Sequence, residues 1–302
     1  MGYGGYSYEA HRAITEARSG QTPQQLFTQS KVHPKMLPKG VKARECRDSP
    51  DHPASLGICF ALDVSGSMGE IPQRLAREEL PTFMKTLMDC GVADPQILFM
   101  AFVDARYDPT PLQVGQFEST ADLMDQWLTR TFMGASPGSA YTGAMPGGES
   151  YETALWFAAR HTAMDCWEKR KKKGYLFMTG DEDSYAAMPR EVCQNVLGYD
   201  VQADVPLEDV MKAVRETWKP YFLVPDPARA VNVAPFWERH FGRDLIVMQS
   251  PADTCGVAAS LVALGEGLLP DRAALEKTLA TAIGAERAAT TLTSLGPWLA
   301  GR

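Results

Sequence analysis

Ile58-Cys59-Phe60-Ala61-Leu62-Asp63-Val64-Ser65-Gly66-Ser67-Met68-Gly69 is the stretch from which the rest of the chain can be read. Its first five residues are apolar without polar alternation, the pattern of a strand buried on both faces in a parallel sheet. A carboxylate and two hydroxyls follow at i, i+2 and i+4: Asp63, Ser65 and Ser67. Gly66 and Gly69 loosen the backbone between and after them, so a tight turn can aim all three oxygens at one spot. Oxygen-only donors suit a hard cation, Mg2+ first, with Mn2+ or Ca2+ as alternatives. The same letters also suit an ordinary strand-to-helix turn with a Ser cap, and the bare motif leaves both readings open. As the end of a strand, Asp63 is expected near solvent.

Outward from this stretch, four more apolar runs have strand length: residues 96–103, 174–179, 221–224 and 244–248. Helical periodicity lies between them. Leu75, Leu80, Phe83, Met84 and Leu87 form one stripe, which Pro81 should kink or divide. Further helices are expected over 120–131, 150–168, 189–197, 207–218, 235–241 and 253–264, with a short edge strand over 114–117. Buried strands alternating with helices predict an α/β fold: a doubly wound, mostly parallel central sheet with helices on both faces. The opening strand should lie centrally. Residues 134–148 form a Gly-rich loop too long for a simple connection, and so one with a functional role. The unit spans 55–266. Residues 1–54 form an N-terminal extension with a basic, Pro-containing linker (Lys31 to Arg47), and 267–302 a C-terminal helical extension.

The 302 residues are 45% hydrophobic and 22% charged, enough to bury a sizeable core. A net charge of −7 argues against nucleic acid as the partner. No apolar run is long enough to span a bilayer, and residues 1–6 lack the regions of a signal peptide. Six cysteines are scattered singly, without a Cys-x-x-Cys pair. A reduced, cytoplasmic protein is the expectation.

Ligands of open α/β sheets bind beyond the carboxyl ends of the strands, where strand order reverses. Three polar clusters fall at such places: the Asp63 turn, Gly147-Gly148-Glu149 before a helix, and Asp181 after the third buried strand. Their order resembles the three loops of the metal-ion-dependent adhesion site (MIDAS) of von Willebrand factor A (VWA) domains, over residues 55 to 266. The segments 44–49, 111–118 and 149–152 resemble a bacterial intracellular subgroup of that family. The resemblance implies a Rossmann-like VWA fold and a metal, Mg2+, held by Asp63, Ser65, Ser67, Glu149 and Asp181. Glu149 departs from the family pattern, standing where a Thr is usual. It either adds a third carboxylate to the cation's shell, directly or through water, or serves as a helix-start residue facing solvent.

Asp104 and Asp108 follow the second strand and read as turn residues, with support of the metal ligands as the alternative, and His161 and Cys166 read as structural. There is no Ser-His-Asp order, phosphate-cradling loop or paired acid and base, so no catalytic residue is assigned. The expected function is a metal-dependent protein-binding module whose partner is another protein. Alternatives are an adaptor for a AAA+ ATPase of the MoxR or chelatase type, as the family resemblance implies, and a metal-dependent hydrolase.

Overall fold

In the computed structural model, which describes residues 4–66, 68, 70–134 and 148–301, the apolar runs become neighbouring strands of one sheet. The strands are β1 (Leu56–Asp63), β2 (Pro95–Phe102), β3 (Leu112–Val114), β4 (Gly174–Thr179), β5 (Trp218–Val224) and β6 (Leu245–Val247). Their order across the sheet is β6-β5-β4-β1-β2-β3. All pairings are parallel except that of β3, the short edge strand, with β2. Every residue of β1, β2 and β4 is buried, which is why these segments show no polar alternation. The chain steps outward from β1 to β3, then returns to β4 on the other side of β1. Strand order therefore reverses at β1 and β4, the expected place for a ligand.

Period-two alternation assigns the helices to the two faces. Phe60, Phe99 and Phe177 share one face, where Phe83 of the helix α2 (Leu80–Asp89) meets Phe60 at 5.2 Å between ring centres. Phe102 and Phe222 point to the other face and meet Tyr151 of α3 (Tyr151–Arg160). Beside α3 lies α4 (Leu207–Thr217), while α5 (Pro227–Phe241) covers β5 and β6. On the α2 side lie α6 (Thr254–Gly265) and the closing helices α7 (Arg272–Ile283) and α8 (Ala285–Ala300). The N-terminal helix α1 (Tyr8–Glu16), capped by Ser7, also packs on α2.

Several local expectations shift. Pro81 does disturb its helix: the chain runs from α-helix at Glu70–Arg74 through a π turn at Leu75–Glu79 into α2. The wider turn accommodates the Pro ring, which would otherwise press on the carbonyl of residue 77. The helix expected over 150–168 stops at Arg160, because Thr162–Met164 is taken up as a strand beside Arg44–Cys46. That parallel pair straps the basic N-terminal segment to the body, where Arg47 bridges Asp165 and Glu168. The helix expected from 235 begins at Pro227, capped by Asp226, and Pro235 lies inside it.

His11 anchors α1. Its ring is fully buried, with Nδ1 3.0 Å from the Tyr6 hydroxyl. Burial, then the nearby charge of Arg18, lowers its pKa from the ordinary imidazole value to about 4. Between about pH 4 and 6.5 the folded protein thus binds fewer protons at His11 than the unfolded chain. The contribution is whole above pH 6.5 and is lost as pH falls through 4. Acidification should loosen α1 selectively, by at most about 3 kcal/mol. Amide exchange read by mass spectrometry should show residues 8–16 losing protection before the sheet does, and His11→Leu should remove the pH dependence. Protection of α1 that does not change from pH 7 to 4 would contradict this account.

Candidate functional site

Two glycines permit the close approaches that form the site. A Cβ on Gly148 would stand 1.8 Å from the carbonyl oxygen of Asp183, and one on Gly180 would stand 2.2 Å from the Tyr151 hydroxyl. Only a residue without a side chain fits at either place. With Gly148 pressed against the loop after β4, Glu149 N–H donates to the Asp183 carbonyl at 3.1 Å, and Glu149 bridges to Ser184. The start of α3 is thereby stitched to the loop after β4, both beside the end of β1.

Tyr151 is the hub of this arrangement, and sequence inspection missed it. Its ring is fully buried between Phe102, Phe222 and Trp237. Its hydroxyl donates to Asp63 Oδ2 at 3.1 Å and accepts the backbone N–H of Glu182 at 3.3 Å. The other oxygen of Asp63 accepts the Ser65 backbone N–H at 2.8 Å, so the turn after β1 closes on its own carboxylate. Contrary to expectation Asp63 is wholly buried, because α3 and the loop after β4 close over the strand end.

The structure brings Asp63, Glu149 and Asp181 into one neighbourhood, with Ser65 on the same turn as Asp63. Ser67 and Gly69 lie outside the described residues, as does the Gly-rich loop over 135–147 with Gly147. Burial, and after it the charge of Asp181, pushes the Asp63 pKa above the usual carboxylate range. Burial likewise pushes Glu149 up, followed by the charges of Asp63, Asp104, Glu182 and Asp181. Glu149 is only 7% exposed and its Oε2 has no hydrogen-bond partner, so it does not face solvent as a helix-start residue would. Next to it Glu152, also buried, is raised to about 8 by desolvation, although Ser184 Oγ donates to it at 3.0 Å.

The surrounding side chains fix the loops. Asp104 Oδ1 accepts the Arg106 N–H at 2.9 Å and its Oδ2 accepts the Tyr185 hydroxyl at 2.6 Å. Asp104 is therefore both a turn residue, as expected, and a link to the loop after β4. Asp108 caps its own turn through the Thr110 N–H. Trp237 Nε1 donates to the Glu182 carbonyl at 2.9 Å. Asp181 Oδ2 lies 2.9 Å from Arg229 Nη1, a second residue that sequence inspection missed. His161 and Cys166 are structural: His161 Nδ1 contacts the Val41 carbonyl and Cys166 is buried.

An all-oxygen donor set, with one buried carboxylate oxygen lacking a partner, fits a hard divalent cation. Among the described residues no three His, Cys, Asp or Glu side chains form a ready-made chelate. All six cysteines are buried free thiols.

No family model and no curated protein matches this chain. Among solved structures, the pilus adhesin SpaC of Lactobacillus rhamnosus GG in its open conformation aligns at 11% identity and a TM-score of 0.45, covering 80% of this chain and 31% of that one. A von Willebrand factor type A protein from Catenulispora acidiphila aligns at 11% identity and 0.39, covering 70% and 42%. The vWF domain of the type V pili tip protein Mfa5 from Porphyromonas gingivalis gives 11% and 0.40, covering 71% and 96%.

Removal of the Tyr151 hydroxyl tests how the site is held. Tyr151→Phe keeps the ring packing but leaves Asp63 Oδ2 without its buried donor. The expected cost is about 1–3 kcal/mol in urea denaturation. Stability equal to that of wild type would remove Tyr151 from its place as hub.

Proposed function

We propose that this chain is a metal-dependent protein-binding module of the von Willebrand factor A type, with Asp63, Ser65, Ser67, Glu149 and Asp181 around Mg2+, or Mn2+ or Ca2+ in its place. The observation that carries this reading is the buried Glu149 carboxylate, with one oxygen unpartnered among other acidic groups at the switch point of the sheet. Carboxylates so placed strongly favour a counter-charge. When bound, the cation supplies a hard Lewis-acidic position that can accept an oxygen of the partner.

The chain's own residues prepare that position. Tyr151 orients one oxygen of Asp63 and the Ser65 backbone the other, which spares the site part of the entropic cost of ordering on binding. Gly148 holds Glu149 in register with the loop that carries Asp181. Among the described residues no side chain here is placed as a nucleophile with an adjacent base.

A ligand bound only by the folded state stabilises it by mass action, by about 2.7 kcal/mol at a hundred times its Kd. Millimolar Mg2+ or Mn2+ should therefore raise the melting temperature relative to EDTA, and Asp63→Asn should abolish the difference. Affinity capture with and without EDTA, read by mass spectrometry, should return a protein partner only when metal is present. Identical melting in EDTA and in millimolar Mg2+ would sink the metal reading.

A further inference from the structure

Arg229 occupies a position where a cation is otherwise out of place. It is in the first turn of α5, whose macrodipole disfavours positive charge at that end. Its backbone N–H is already used by the capping side chain of Asp226. The guanidinium reaches past the helix start to Asp181 Oδ2 at 2.9 Å, keeping Nε 3.1 Å from Asp226 Oδ2, and it touches Met68 Sδ at 3.3 Å. Met68 belongs to the same turn as Asp63 and Ser65, so the cationic head lies between two of the loops that form the site. Its side chain is about a third exposed, while that of Asp181 is 10% exposed.

We propose that Arg229 is a built-in counter-ion: it holds Asp181 in the metal-free protein and yields it when a divalent cation binds, and so sets the affinity of the site. This rests on the metal reading above. Asp63, Glu149 and Asp181 carry three formal negative charges, of which a divalent cation leaves one uncancelled. The positive charge of Arg229, which it shares with Asp226, offsets part of that remainder. A guanidinium from a distant part of the chain thus eases the excess of carboxylates to which Glu149, the extra one relative to the usual pattern of such sites, contributes. The arrangement has two electrostatic consequences of the same sign. Arg229 competes with the metal for Asp181, and its charge repels the metal once that metal is bound. Both weaken metal binding relative to a protein without it, while stabilising the metal-free state.

The test is calorimetric titration of Mn2+ into the full chain, with melting temperatures measured in EDTA and in Mn2+. Arg229→Met keeps an unbranched stem of similar bulk and removes the charge, and Arg229→Ala serves as the second variant. Both should bind Mn2+ about tenfold more tightly than wild type, on the scale expected for one charge beside a divalent ion. Both should melt lower in EDTA and gain more from Mn2+ than wild type gains. Arg229→Lys, which retains the charge, should stay near the wild-type affinity. A merely structural ion pair would lower melting in both conditions and leave affinity unmoved. Wild type that binds Mn2+ with variants of equal or weaker affinity overturns this proposal and leaves the metal reading standing. Absence of binding in all four proteins overturns both, and binding seen only once the charge is removed supports both.

Discussion

Carboxyl groups packed side by side away from water repel one another, and the carboxyl end of the sheet is organised around keeping several there. Desolvation of a charge costs more than any single contact returns unless donors or counter-charges are supplied. Asp63 receives a tyrosine hydroxyl and a backbone N–H, Asp104 a second tyrosine and a backbone N–H, and Asp181 a guanidinium. Glu149 alone of these four retains a buried oxygen without a donor.

The parallel sheet makes such a cluster possible. Strands running the same way all deliver their following loops to one end, and the reversal of order at β1 and β4 opens a crevice between them. Into that crevice α3 inserts Tyr151, whose ring is fixed by aromatic contacts with two strands and with α5. The hydroxyl therefore stands on a rigid support, and the acidic loops are referred to the core through it. Loop residues positioned by packed elements in this way hold their geometry better than loops stabilised only among themselves.

How much of this can be read in the chain depends on how local the signal is. Of the parallel strands, β1, β2 and β4 are legible because burial on both faces leaves unbroken apolar runs, β5 and β6 from shorter apolar runs between helical segments, and the central place of β1 follows from the winding. Asp63, Glu149 and Asp181 stand out as polar groups at strand and helix ends. What escaped was set by contacts distant in sequence. Thr162–Met164 is a strand only because Arg44–Cys46 lies alongside, and its own composition is compatible with the preceding helix. The start of α5 carried a local signal, Asp226 before Pro227, which was outweighed by Pro235 eight residues later. Tyr151 and Arg229 resemble ordinary helix residues in sequence, because what distinguishes them is the partner across the fold.

At the opposite end of the sheet, Met164 fills the room left by two glycines on adjacent strands. A Cβ on Gly57 would stand 2.5 Å from its sulfur and one on Gly174 2.8 Å from it. The strap, β1 and β4 thus share one volume, and no one of the three positions can drift independently. A lineage that enlarged residue 57 would have to shorten residue 164 in step, and one that enlarged residue 174 would also have to displace Trp218 and the Gly57 carbonyl, so these sites are tied together although more than a hundred residues separate the first from residues 164 and 174. The thioether at its centre also gives this unit a chemical vulnerability, since oxidation to the sulfoxide would introduce a polar oxygen into a space with no room for it.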